Sequence, residues 1–249
     1  MSFDKGCQQY IPYDYFQVKA IDWQLSSPHI KENVFFCDVG GSSGTDDFPY
    51  IKAGAKCVCL DLDKKVLRDG VRKARATKLL GNIDYVQGSA THLPFRPWTF
   101  GLTTSYSVID HTPNKKAAYQ AIDEMARITK RNGHVVITVP NQLFILGTFM
   151  MAMKIFIQTD VFFEQRFTPK EMQRQCSKAS LQVTKYGSKN PLLIGRSILR
   201  NNVPQLFQKL PIAFLRGVCH LAEELFKIAD EHLPLQLLGA RYGVDCVKR

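Results

Sequence analysis

An apolar run, Val34-Phe35-Phe36-Cys37, stops at Asp38 and opens through Val39 into Gly40-Gly41-Ser42-Ser43-Gly44. A continuous apolar run of this length suits a strand buried on both faces, as in a parallel sheet. The glycine- and serine-rich turn at its C-terminal end lets a ligand approach bare backbone. A second run, Lys56-Cys57-Val58-Cys59-Leu60, ends on Asp61, seventeen residues past Gly44. A carboxylate in that place can accept hydrogen bonds from both hydroxyls of a ribose. The pair therefore indicates a nucleotide-type ligand, its tail on the turn and its sugar on the acid.

Strand and helix patterns alternate from residue 33 onward, which predicts an α/β domain with a mostly parallel sheet covered on both faces. Strands are expected near 34–38, 56–61, 83–87, 101–105 and 134–139, with helices near 45–53, 63–77 and 115–130. The last of these shows Ala118, Ala121, Ile122, Met125 and Ile128 at helical spacing, and Arg131-Asn132-Gly133 is expected to stop it. Thr168-Pro169-Lys170-Glu171 has the form of a capped helix start, with proline in the first turn and glutamate reaching back three residues. Strands near 181–186 and 241–247 would complete the sheet. With 249 residues, 45% of them hydrophobic, a single domain is expected. Its parts are an N-terminal lid over 1–32, a core over 33–187, a helical insertion over 188–235 and a final strand within 236–249.

Residues 143–157 are almost wholly apolar, interrupted only by Gly147, Thr148 and Lys154. At about 15 residues the stretch is shorter than the roughly 20 that a membrane span needs, so it reads as a lid, a pocket wall or an interfacial helix. Residues 206–228 combine apolar segments with Lys209, Arg216 and Lys227, a pattern that either packs on the domain or docks on a membrane surface. Met1-Ser2-Phe3-Asp4-Lys5 leads into polar and aromatic sequence with no apolar leader, so a cytoplasmic location is expected, with peripheral membrane contact through 143–157 and 206–228 as its one qualification.

The formal charge is +11. Much of it falls at helical spacing in Lys64, Lys65, Arg68, Arg72, Lys73, Arg75 and Lys78, where one helix face must be solvated in any case. No aromatic-basic stacking pattern accompanies it, so no nucleic-acid partner is expected. Seven cysteines lie scattered without a C-x-x-C pair, and Cys37, Cys57 and Cys59 fall on the expected buried strands. They read as reduced core thiols, and no metal site is expected.

Taken in order, these residues resemble the class I S-adenosylmethionine-dependent methyltransferases, in particular the type 11 group related to the ubiquinone and menaquinone methyltransferases. The resemblance covers about residues 33–187. The family's D-x-G-x-G-x-G corresponds to Asp38-Val39-Gly40-Gly41-Ser42-Ser43-Gly44, and its acid after strand two to Asp61, followed by Leu62. Its G-D-A and L-P-F correspond to Gly88-Ser89-Ala90 and Leu93-Pro94-Phe95. The later E-x-x-R and R-F-T-P-x-E correspond to Glu124 with Arg127 and to Arg166 through Glu171.

The resemblance implies a Rossmann-like, seven-stranded sheet of order 3-2-1-4-5-7-6, with helices on both faces, and S-adenosyl-L-methionine as cofactor. It implies cofactor contacts from Asp38, Gly40, Gly41, Ser42, Gly44, Asp61, Leu62, Ser89 and Ala90, with Ser105 at the methyl-transfer site. Three residues depart from the family: Ser42 stands at a glycine, Ser89 at an acid, and Gly101 at a strand-four aspartate. Methyl transfer from an activated sulfonium needs alignment above all, which is worth up to roughly 7 to 11 kcal/mol in well-oriented systems. Where the acceptor requires a base, His111 is the candidate. The acceptor is expected to be a small molecule, hydrophobic or lipid-like. A catalytically silent scaffold serving as a binding or membrane-adaptor protein is the alternative, with RNA methylation behind it.

Overall fold

The computed structural model describes residues 21–143 except 23, together with 165–189 and 241–249. Residues 144–157 and 206–228, where membrane contact is expected, lie outside the described residues, as do most of the N-terminal lid and of the insertion.

Seven strands form one sheet: β1 (Phe35–Val39), β2 (Lys56–Asp61), β3 (Ile83–Gln87), β4 (Phe100–Tyr106), β5 (Thr129–Pro140), β6 (Leu181–Lys189) and β7 (Arg241–Lys248). Their order is β3-β2-β1-β4-β5-β7-β6, with β1 to β5 parallel and β7 antiparallel to both β5 and β6. This is the order the resemblance implies. Among the described residues from β1 onward the α-helices are α1 (Phe48–Lys52), α2 (Lys64–Ala76), α3 (Lys115–Ile128) and α4 (Pro169–Lys178).

Alternation along each strand divides the core in two. On one face Cys37, Val39, Ile137, Val139 and Tyr242 pack with Ile122 and Met125 of α3 and with Phe167. On the other, Phe36, Cys57, Cys59 and Val136 pack with Ile21, Leu25, Tyr50 and Leu67. The three cysteines expected in the core are buried there and unpaired. In α2 the buried Leu67, Gly70 and Ala74 form one stripe, and the seven basic residues predicted as a solvated face are all exposed. The capping box of α4 forms as predicted: the Thr168 side chain accepts from the Glu171 N–H at 3.1 Å while Glu171 accepts from the Thr168 N–H at 3.3 Å.

The expected stop at Arg131-Asn132-Gly133 is displaced. Helix α3 ends at Ile128, because Thr129 turns to extended backbone and its hydroxyl donates to the Met125 carbonyl at 2.7 Å. Thr129 then pairs directly with Phe100, and the next pair is Leu102 with His134. Between the two pairs β4 spends only Gly101, whereas β5 bulges through Lys130 to Gly133, with Asn132 in the left-handed region at φ 60°. Gly101, the departure from a family aspartate, thus lies at a register shift, as glycines in strands often do.

Candidate functional site

The C-terminal edge of the parallel strands gathers the predicted residues. Beyond β1 the chain alternates into positive φ at Gly40 (80°), Ser42 (54°) and Gly44 (65°), folding the turn back over β2. The amides of Gly40 and Gly41 both donate to the Leu60 carbonyl, at 2.7 and 3.1 Å. The absence of side chains is used for packing: a Cβ on Gly40 would come within 2.3 Å of Val108, and one on Gly41 within 2.5 Å of the Asp38 carboxylate. Asp38 is buried beneath the turn and accepts the Thr104 hydroxyl at 2.8 Å, so it orders the turn from below.

Asp61 stands at the mouth of that turn. Its Oδ2 accepts the Ser42 N–H at 2.9 Å and its Oδ1 the Asp63 N–H at 2.9 Å. A carboxylate offers about four acceptor positions, so roughly two remain for further donors. Leu62, next to it, is 68% exposed. Ser89 and Ala90 follow β3; the Ser89 hydroxyl lies 2.9 Å from that of Thr91 and also accepts the Thr91 N–H at 3.3 Å. The Asp61 carboxylate, the exposed leucine and the bare turn fit a ribose, a flat base and a polar tail respectively.

A clamp ties the neighbouring loop to α3. Glu124 accepts the Leu93 N–H at 2.7 Å and is bridged by Arg127 at 2.6 Å, while Arg127 also donates to the carbonyls of Phe95 and Leu93 at 2.8 and 2.9 Å. The Leu-Pro-Phe segment and the Glu-x-x-Arg helix are therefore two halves of one hydrogen-bonded unit. The Arg127 guanidinium holds the Glu124 carboxyl below its usual range.

After β4 the chain enters Ser107 at φ 58° and a short turn, Ile109–His111. Asp110 is fully buried and is approached by the Ser107 hydroxyl at 3.2 Å and by Arg241 at 3.3 Å. The His111 ring is 43% exposed, and its Nε2 lies 3.8 Å from Asp110, beyond hydrogen-bonding distance. The adjacent aspartate thus belongs to a structural network and does not orient the imidazole.

Ser105 is buried on β4 opposite Ile137, on the face that also holds Tyr242, which pairs with Val139. Among the described residues, neither the Ser105 hydroxyl nor the Tyr242 hydroxyl has a hydrogen-bond partner. Two unpartnered buried hydroxyls on one face near the active edge are expensive unless something polar meets them. Tyr242 carried no signal in the sequence, because only strand pairing places it beside β5.

A second polar cluster lies further across the sheet, on β5 and β7, and was equally invisible. His29 Nε2 and His134 Nδ1 each lie 2.8 Å from a different oxygen of Asp245, and the two rings stack with centroids 3.4 Å apart. Burial pushes the Asp245 carboxyl up, but the hydrogen bonds from both imidazoles outweigh it and bring its pKa to about 2.

Residues 37–137 match the family model described as a methyltransferase domain. Among curated proteins the chain is 31% identical over 114 residues to the ubiquinone/menaquinone biosynthesis C-methyltransferase of Sinorhizobium fredii, covering 45% of this chain and 43% of that protein. It is 35% identical over 101 residues to the demethylmenaquinone methyltransferase of Renibacterium salmoninarum, covering 40% and 38%. The chain thus spans about two fifths of the length of these relatives. Among solved structures, the magnesium protoporphyrin IX methyltransferase of Synechocystis, with bound S-adenosylhomocysteine, superposes with a TM-score of 0.62 at 12% identity, covering 95% of this chain and 84% of that one. The [4+2]-cyclase SpnF superposes with 0.61 at 11% identity, covering 93% and 81%. These two likenesses establish the fold, which hosts more than one chemistry. Over residues 37–137 the chain is thus similar to the class I S-adenosylmethionine-dependent methyltransferases of the type 11 group.

Proposed function

We propose that this protein transfers the methyl group of S-adenosylmethionine to a small apolar acceptor of quinone type. The observation that carries the cofactor assignment is the double duty of Asp61, which holds the Ser42 amide and keeps acceptor positions open beside the exposed Leu62. On this reading Asp61 takes the ribose hydroxyls, Leu62 flanks the adenine, Ser89 and Ala90 meet its edge, and Gly40, Gly41, Ser42 and Gly44 hold the amino-acid portion over Asp38. S-adenosylmethionine supplies an electrophilic methyl when bound. The chain's own residues align it, exclude water and accept a proton from the acceptor.

Support for a quinone-type acceptor comes from the matching relatives, which are named as quinone-pathway methyltransferases. The hydroxyls of Ser105 and Tyr242, which have no partner among the described residues, suit ring oxygens, since each can donate one hydrogen bond. His111 is the residue to receive the acceptor's proton. Residues 143–157 and 206–228 are assigned to contact with the membrane where such an acceptor would dissolve.

Calorimetry with S-adenosylhomocysteine, followed by transfer of a labelled methyl group to a demethylated benzoquinol or naphthoquinol, tests both halves. Absence of binding at millimolar ligand would remove the cofactor assignment. Binding without transfer to either ring would remove the acceptor assignment alone.

A further inference from the structure

The three residues His29, His134 and Asp245 come from a short 3-10 turn, from β5 and from β7, and β4 and β5 separate β7 from β1, which leads into the glycine- and serine-rich turn. Their shared face follows from the ladder. Asp245 pairs with Val136, and His134 lies two residues earlier on β5, so both side chains project to the face that packs Ile21 and Leu25. The turn Ser27–His29 brings the second imidazole over them. One ligand atom from each residue lies within 4.8 Å of the others, and all three side chains are at most about a quarter exposed.

We propose that His29, His134 and Asp245 form a binding site for a divalent transition-metal ion of the zinc class. Two imidazoles and one carboxylate are a donor set suited to such an ion, with three protein ligands and one position left for water. Binding exchanges bonds in a balanced way: each imidazole nitrogen now directed at Asp245 gives up any proton it carries and gives its lone pair to the metal, while the other ring nitrogen holds the one proton of the neutral ring. The carboxylate accepts the metal in place of the two N–H donors. Tetrahedral coordination at about 2.0 to 2.2 Å sets ligand atoms roughly 3.3 Å apart, so the 2.8 Å contacts must open by about half an ångström and the stacked rings must fan apart. The ion would fasten the segment before β1 to β5 and β7. The site shares no residue with the turn that the proposed function uses and its strands are separated from β1 by β4, so the two readings fail independently.

The full-length protein, stripped with chelator and dialysed, is titrated with ZnCl2 and with CoCl2, alongside His29→Gln and Asp245→Asn. The wild type is expected to take up one equivalent more zinc than either variant and to melt about 5 °C or more higher at hundredfold excess over its Kd. Cobalt is expected to give the intense visible bands of a tetrahedral centre in the wild type only. His29→Gln changes a partly exposed turn residue and keeps a hydrogen-bonding side chain, so it remains informative if Asp245→Asn does not fold. Equal zinc uptake by the wild type and His29→Gln, or zinc uptake without a rise in melting temperature, would overturn the assignment.

Discussion

The backbone N–H of Ser42 donates to Asp61 Oδ2 at 2.9 Å, so the acid that ends β2 holds the middle of the turn that follows β1. The two sequence signals that suggested a nucleotide ligand are one hydrogen-bonded object. The same carboxylate also accepts the Asp63 N–H, which starts α2. Its position is therefore fixed before any ligand arrives, and a ribose bound as proposed would meet acceptors that need no reordering.

Asp61→Ala is expected to weaken S-adenosylhomocysteine binding by tenfold or more, since a hydrogen bond to a charged group is worth about 1.5 to 3 kcal/mol. Asp61→Asn keeps one carbonyl oxygen for Ser42 and should retain most of the melting temperature while still losing affinity. Calorimetry and thermal denaturation of both variants separate the ligand role from the structural one. Unchanged affinity in both would refute the ribose assignment.

Ser42 occupies the left-handed region at φ 54°, where a side chain costs roughly 1 to 2 kcal/mol and glycine costs nothing. Ser42→Gly regains part of that, offset by about 0.5 to 1 kcal/mol of extra chain entropy in the unfolded state. The variant is expected to be as stable as the parent or up to about 1 kcal/mol more stable by urea denaturation, because the bond to Asp61 uses the backbone amide. A clear loss would mean that the serine hydroxyl has a partner of its own.

Glu124→Gln is expected to destabilise the protein by about 1 to 3 kcal/mol at pH 7, by weakening the clamp on Leu93 and Phe95. The Glu124 carboxyl titrates below its unfolded value, mainly through Arg127. Its contribution is therefore full above the unfolded glutamate pKa, roughly 4.3, and disappears as pH falls through the lower folded value. Melting curves of parent and variant should differ at pH 7 and converge toward pH 3. A gap that stays constant across that range would exclude an ionic origin.

Tyr242→Phe removes a buried hydroxyl that has no partner among the described residues, so it is expected to leave stability unchanged or to raise it by up to about 1 kcal/mol. If the hydroxyl meets the acceptor, KM for the quinol rises several-fold while cofactor affinity holds. Steady-state kinetics and denaturation of one preparation check both halves.

His111→Ala is expected to lower kcat by about 10²-fold if the imidazole takes the acceptor's proton, with little effect on melting temperature because the ring is half exposed. His111→Gln, which can hydrogen-bond but not act as a base near neutral pH, should be equally slow. Full activity in the glutamine variant would reassign His111 to acceptor contact.

The local sequence determined a good deal of this protein. Apolar runs of strand length bounded by glycine, serine and asparagine placed all seven strands within a few residues, and the spacing of Ala118, Ile122 and Met125 placed α3. Thr168 and Glu171 announced their helix, because a capping box is satisfied within four residues and needs nothing from the rest of the chain. The turn at Asp38 and the acid at Asp61 were legible for the same reason: each is a local device at a strand end. Interactions between distant segments were not. Whether Thr129 ended α3 depended on Phe100 being there to pair with it, so the local stop signal at Gly133 gave way to the ladder. That Asp110 belongs to Arg241, that Glu124 and Arg127 clamp Leu93 and Phe95, and that His29, His134 and Asp245 meet at all are products of strand order. A sequence records which residue types are present and their spacing. Which of them share a face across 100 residues or more is settled only when the sheet's register is fixed.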